Sequence, residues 1–153
     1  MICSNDEVKR LKAFKEEHKR LAALSQQQMM SSVAKRSRKQ EEACDGLVIE
    51  SAIYGHESAI HNPTKVRACE DAIDVTIVLQ FMVKESRLRL YAGSKREYMG
   101  MWVSEKEEED RVMLLVRYRW KGSVWEIEVT DEEPLYLPAF RAIEIGKSEV
   151  VSV

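Results

Sequence analysis

The chain has 153 residues, a formal net charge of -2, 44% hydrophobic and 33% charged residues, and three cysteines. That length suits one domain with an appended helix, and such a chain buries roughly two-thirds of its unfolded surface without disulfides or a metal. The near-neutral balance gives no global field for nucleic acid. The irregularly spaced Cys3, Cys44 and Cys69 fit a reducing compartment rather than a disulfide framework, and no apolar run is long enough for a transmembrane helix.

The opening MICSNDEVKR lacks the apolar stretch of a secretory signal and carries acids too early for a mitochondrial presequence. Residues 6–44 contain no Gly or Pro and are rich in good helix formers. Ser4 and Glu7 offer a capping box, and Gly46 after Asp45 is a plausible stop. These signals predict one helix over residues 5–45. Leu11, Phe14, His18 and Leu21 recur at a/d spacing, and the pattern then fades into Ser25, Gln28 and Ser32. The first half is therefore expected to pack, and the second half to face solvent or a partner.

Leu47–Tyr54 reads as a strand ended by Gly55, and His56–Asp71 as a polar loop. From Ile73 to Val83 apolar residues alternate, which predicts a strand with Val75, Ile77, Leu79 and Phe81 on its core face and Thr76 outward. Lys84-Glu85 is a candidate turn before a further strand through Leu88 and Leu90; Ser104–Asp110 is a charged bridge. Val112, Leu114, Val116, Tyr118 and Trp120 form one face of a strand. It turns at Lys121-Gly122 into a second strand through Trp125, Ile127 and Val129. Across that hairpin Arg117 and Arg119 are placed to meet Glu126 and Glu128. Leu135–Leu137, between two prolines, suits an edge strand, and Phe140–Ile145 is the last extended segment. The fold class expected is α+β: a long N-terminal helix followed by a mostly antiparallel β-sandwich or small β-barrel. The organisation is a helix at 5–45, a β domain at 46–146 and a flexible tail at 147–153.

Few residues point to chemistry. Cys44, His56, His61 and Cys69 lie close in sequence, but only the histidines approach zinc-ligand spacing, so no metal or cofactor is expected. Glu107, Glu108, Glu109 and Asp110 read as a solvated acidic run, and no nucleotide-binding or nucleophile-elbow motif occurs. Lys35, Arg36, Arg38 and Lys39 are the best interaction candidate. At helical spacing Lys35 and Lys39 lie on one face with Arg36 beside them, and the cluster suits an anionic lipid surface or phosphates. No aromatic interleaves them, which argues against base stacking. The bland alternative is a solubilising helix face. Trp102, Trp120, Trp125, Tyr98 and Tyr118 read as packing residues.

Several patches together resemble the C-terminal domain of a J-protein family, DnaJ subfamily C member eleven. They include Gly46-Leu47-Val48-Ile49 with Ala52, Tyr54 and Gly55; Asp74-Val75-Thr76 with Leu79-Gln80; and Val83-Lys84 with Ser86, Leu88, Leu90 and Ser94-Lys95. The pattern continues through Val116, Tyr118, Gly122, Val129, Asp131, Leu135 and Pro138. It departs at Tyr98–Ser104, where the family shows an aromatic followed by an acid and proline. The resemblance implies a non-enzymatic assembly domain of a mitochondrial co-chaperone linked to cristae organisation. Its partners would be membrane-organising complexes, and an Hsp70 through the parent protein. The His-Pro-Asp loop that stimulates an Hsp70 is absent: His61-Asn62-Pro63 is a different context. The competing reading is a ligand-binding β-domain or an enzyme with a pocket hidden from sequence.

Overall fold

The computed structural model describes residues 5–61, 72–104, 111–139 and 142–147. Helix α1 spans Asn5–Ala43, 39 residues. It is followed by β1 (Val48–His56), a short α2 (Glu57–Ile60), β2 (Ala72–Asp74), α3 (Thr76–Met82) and β3 (Leu88–Leu90). A 3₁₀ turn at Lys95–Glu97 leads to β4 (Val112–Trp120), β5 (Ser123–Thr130), β6 (Leu135–Leu137) and β7 (Ile143–Lys147). One antiparallel sheet has the order β2-β1-β4-β5-β7, and β3 pairs with β6 in a separate ribbon. The α+β class holds, with antiparallel sheets after a long helix. Both sheets feed one apolar cluster, which includes Tyr54, Leu79, Leu90, Leu114, Val116, Tyr118, Val129 and Leu135.

The β4–β5 hairpin follows the sequence closely. Lys121 and Gly122 have φ of 48° and 81°, the two positive values a type I′ turn requires. Leu114, Val116 and Tyr118 are buried on one face of β4, as their alternation demands. Arg117 lies opposite Glu126 and pairs with it at 3.0 Å. Arg119, by contrast, lies opposite Val124, and Glu128 lies opposite Leu115, so the second expected cross-strand pair does not form.

The Ile73–Val83 strand is corrected. Only Ala72–Asp74 is strand, and Thr76–Met82 is helix. An Asp74 carboxylate oxygen accepts from the Thr76 N–H at 2.9 Å, which turns the chain out of the sheet. The Thr76 hydroxyl then accepts from the Ala52 N–H at 3.0 Å, taking the place of a strand neighbour. Thr76 therefore points inward, not outward. Val75, Val78 and Leu79 are fully buried and Val83 nearly so, at helical spacing, while Ile77 and Phe81 are only half-buried.

The packing of α1 is the reverse of the expectation. From Asn5 to Lys19 every residue but Glu16 is exposed. The C-terminal half packs on α3 and β1 through Ala23, Gln27, Met30, Ala34 and Glu41. The Gln27 amide donates to the carbonyls of Asp74 and Gly100, each at 2.9 Å, and Gln26 Oε1 accepts from the Gly100 N–H at 2.8 Å. From α3, Gln80 accepts from the Ile49 N–H at 2.8 Å and donates to Ser37 Oγ at 3.1 Å. Side-chain amides thus add directional bonds to the apolar contacts that Ala23, Met30 and Ala34 make at this interface.

The helix stops in a Schellman motif. Gly46 N–H reaches the Glu41 carbonyl at 2.8 Å and Asp45 N–H the Glu42 carbonyl at 3.4 Å, with Asp45 at φ 55°. Asp45, rather than Gly46, takes the left-handed conformation. Gly46 is needed for space: a Cβ there would sit 2.4 Å from Ser86 Oγ and 2.7 Å from Glu41 Oε1. The Lys84-Glu85 turn lies one residue later, with Glu85 and Ser86 at positive φ inside a Lys84–Arg87 bridge. Short α2 opens the expected His56–Asp71 loop. Ser4, Phe140, the run Glu105–Asp110 and tail residues 148–153 lie outside the described residues.

Candidate functional site

Lys35, Arg36, Arg38 and Lys39 lie on the last turns of α1, beside the start of β1. Lys35, Arg36 and Lys39 are exposed. Arg38 is not a free member of the cluster. Its Nε donates to Glu42 at 3.0 Å and its Nη2 lies 3.7 Å from Glu50. Arg119 of β4 closes the network, reaching Glu42 at 3.2 Å and bonding Glu50 directly. Glu50 is available for this because the β1–β4 register shifts between Ile49 and Ser51, leaving Glu50 as the extra residue. The Arg38 hydrogen bond holds the Glu42 carboxyl below its usual range, with Arg119 adding to the effect. Two roles are thus split within four residues. Arg38 ties the helix end to the sheet, and three cations remain presented to solvent.

Residues 7–138 match the family model described as DnaJ-like protein C11, C-terminal. The chain belongs to this family. Among curated relatives, it is 33% identical over 101 residues to the DnaJ homolog subfamily C member 11 homolog of Dictyostelium discoideum, covering 64% of this chain and 17% of the relative. It is 31% identical over 120 residues to DnaJ homolog subfamily C member 11 of Pongo abelii, 78% and 21% respectively, and 31% identical over 110 residues to that of Mus musculus, 72% and 19%. The chain spans about a fifth of the length of the curated relatives it matches. No solved structure matches. The family match takes in most of α1, the basic cluster and every strand but β7.

Within this DnaJ-like C-terminal domain, a dense polar arrangement gathers buried Tyr54 and Lys95 around half-buried Asp131. Asp131 Oδ1 accepts from Tyr54 OH at 2.7 Å and from the Lys95 N–H at 2.9 Å, and Oδ2 accepts from Ser94 Oγ at 2.9 Å. Lys95 is fully buried, and its ammonium donates to the carbonyls of Thr130, Asp131 and Glu133 at 3.3, 2.7 and 2.6 Å. Burial lowers the Lys95 pKa, opposed by the nearby acids. Burial, reinforced by Asp131, raises that of Tyr54, so its phenol stays a donor. Every polar atom named here is used in tying the β5–β6 turn to β1 and the 3₁₀ turn. Sequence reading missed the cluster. Its only signal was that Tyr54, Ser94-Lys95 and Asp131 all fall among the residues carrying the family resemblance.

The four residues weighed for zinc are not shown together. Cys69 lies outside the described residues, and Cys44 is exposed at the helix end, its Sγ 3.6 Å from the Glu41 carbonyl. Buried His56 donates from Nε2 to the Ser104 carbonyl at 2.6 Å. Exposed His61 meets both Glu128 oxygens at 3.0 Å, with Glu57 alongside. The Glu128 hydrogen bond, then its charge, raises the His61 pKa.

The aromatic residues mainly pack. Tyr118 is buried opposite half-buried Trp125, and Tyr118 OH accepts from the Ala139 N–H at 3.1 Å. The Lys121 ammonium lies 5.1 Å from the Trp120 ring centroid. Trp102 borders an open cleft of about 360 Å³ between α1 and residues 96–103, also lined by Lys19, Gln26 and Glu97. Its indole N–H and one Glu16 carboxylate oxygen are buried without hydrogen-bond partners.

Proposed function

We propose that this domain is a non-enzymatic interaction and assembly module of a mitochondrial J-protein linked to cristae organisation. The carrying observation is the exposed row Lys35, Arg36 and Lys39 on a helix end that Arg38, Glu42, Glu50 and Arg119 lock to the sheet. A rigidly held cationic patch suits an anionic lipid surface, at up to about 1 kcal/mol per charge. The buried polar side chains that would otherwise invite a catalytic reading, Lys95 and Tyr54, are engaged in structural hydrogen bonds. Hsp70 partnership and membrane-organising partners belong to the parent protein in this reading. The isolated domain, lacking a His-Pro-Asp loop, leaves an Hsp70 ATPase unstimulated, and nucleic acid is not a partner.

The experiment is cosedimentation with cardiolipin-containing vesicles across ionic strength. Wild-type domain binds at low salt and is released as salt rises. A variant with Lys35, Arg36 and Lys39 changed to Gln stays unbound at an unchanged thermal midpoint. Absence of wild-type binding at low ionic strength refutes the proposal for this surface. The second reading, a ligand-binding β-domain, is favoured by the cleft beside Trp102. A change in Trp fluorescence with a small amphiphile, lost on Trp102→Phe, would be its signature.

A further inference from the structure

The outward face of the N-terminal half of α1 leaves large apolar side chains uncovered. Leu11, Phe14 and Leu21 are 61%, 71% and 53% exposed. They are not scattered. Leu11, Phe14, His18 and Leu21 follow a 3-4-3 spacing, and the Phe14 and His18 rings stack at 6.4 Å. At 100° per residue, a position sixteen residues on lies about 160° round the helix. Leu11, Phe14 and His18 are therefore nearly opposite Gln27, Met30 and Ala34, which face the domain. The seam points away from the body of the protein, and residues 5–19 form an arm about 22 Å long.

We propose that this seam is the docking site of an acidic amphipathic helix from another protein, which pairs with the arm as a short coiled coil. Three observations select that occupant. First, the seam has coiled-coil spacing. Its a/d residues Leu11, Phe14, His18 and Leu21 span about 80° of the helix circumference, and exposed Val8 flanks them at an e position. Second, its surroundings are positive. Residues 8–24 carry six basic side chains against two acidic ones, and one of the six, Arg20, is already paired with Glu17 at 3.0 Å.

Third, the flanking charges oppose a second copy. With Leu11 and His18 at a and Phe14 and Leu21 at d, Arg10 and Glu17 occupy g, and Lys15 occupies e. A parallel pair sets Arg10 against Lys15 of the other copy. An antiparallel pair that stacks Leu11 on Leu21 sets Glu17 on Glu17 and Lys15 on Lys15. A helix with acids at the positions facing Arg10 and Lys15 meets neither repulsion. The inference extends the interaction reading to a second surface, and it stands apart from Lys35, Arg36 and Lys39.

The test uses the whole chain and two labelled three-heptad peptides. Both have Leu at a and d; one has Glu and the other Lys at the e and g positions that face Arg10 and Lys15, and both have Gln at the remaining e and g positions. Glutamate repulsion keeps the first peptide from pairing with itself. Fluorescence anisotropy is expected to show binding of the Glu peptide at least about tenfold tighter than the Lys peptide. That binding is lost in the Leu11→Gln/Phe14→Gln/Leu21→Gln protein, whose helicity by circular dichroism and thermal midpoint stay those of the wild type, because the seam buries little in the free protein. The Lys35→Gln/Arg36→Gln/Lys39→Gln protein retains peptide binding, so failure of the vesicle experiment and failure of this one are separable. Equal binding of the two peptides, or binding indifferent to the seam substitutions, overturns the proposal. So does seam-dependent self-association in sedimentation, or seam-dependent binding to phosphatidylglycerol vesicles without binding to the Glu peptide.

Discussion

Asp131→Ala removes one carboxylate from the β5–β6 turn, and its cost can be worked from three hydrogen bonds. The side chain accepts from Tyr54 OH, Lys95 N–H and Ser94 Oγ at 2.7, 2.9 and 2.9 Å. Tyr54 is fully buried, and so is Lys95; Ser94 is half-exposed and can turn to water. Two buried donors are then left without acceptors, at about 1–3 kcal/mol each, so the substitution costs roughly 2–6 kcal/mol. Tyr54→Phe removes one of those donors. In that background the Asp131→Ala cost falls by about 1–3 kcal/mol, because only the Lys95 N–H is orphaned. Urea denaturation of the wild type, both single variants and the double variant closes the cycle. Additivity within about 0.5 kcal/mol would show that Asp131 does not hold the phenol. An Asp131→Ala cost under about 1 kcal/mol would refute the account of the cluster.

Three further outcomes follow from the packing. Thr76→Ala leaves the Ala52 N–H without its acceptor and costs about 1–3 kcal/mol, whereas Thr76→Ser keeps most of that stability; equal midpoints for all three proteins would contradict the hydrogen bond. Gly100→Ala lowers the thermal midpoint, because Gly100 sits at φ +82° and a Cβ there would lie 2.7 Å from Val78 Cγ2; the strain is of order 1–3 kcal/mol, and an unchanged midpoint would count against that backbone. The raised His61 pKa contributes stability that is full below its unfolded value and is lost as pH rises through the folded value. The pair is exposed, so the effect is only about 0–1 kcal/mol; His61→Gln should destabilise more at about pH 5.5 than at about pH 8, and the reverse order would contradict the sign.

How far the sequence spoke depended on which force placed each element. The β4–β5 hairpin was legible because alternation, a Lys-Gly turn and a cross-strand Arg117–Glu126 pair all agree. The existence of α1 was legible from its composition, but the face that packs was not. Its buried row is Ala23, Gln27, Met30, Ala34 and Glu41, in which Met30 is the one large apolar side chain and the rest are small or polar residues that ordinary patterning assigns to solvent. Ile73–Val83 misled because eight of its eleven positions are apolar, on both faces of the expected strand. Such a run satisfies period two and period 3.6 together, and the Asp74–Thr76 turn decided between them. The basic cluster was legible as a charge run. The diversion of Arg38 was not, since it depends on a β-bulge that presents Glu50 from another element. The Asp131 cluster joins residues as far apart in sequence as Tyr54 and Asp131, and no local pattern announces it.

Amide contacts also explain why one helix would hold the two proposed surfaces in fixed positions. An apolar ridge tolerates sliding, because dispersion and burial have little directional preference. Hydrogen bonds from Gln27 to two carbonyls, from Gly100 to Gln26, and from Gln80 to Ser37 do not. Moving α1 along its axis by one residue turns each side chain by about 100° and leaves buried carbonyls and amides unpaired, at about 1–3 kcal/mol for each group. At the far end the Schellman motif and the Arg38–Glu42–Arg119–Glu50 network fix the last turn. The helix is thereby locked in rotation and register. Once that is so, the direction in which Leu11, Phe14 and Leu21 face, and the position of Lys35, Arg36 and Lys39 further along, are properties of the fold rather than of a swinging arm.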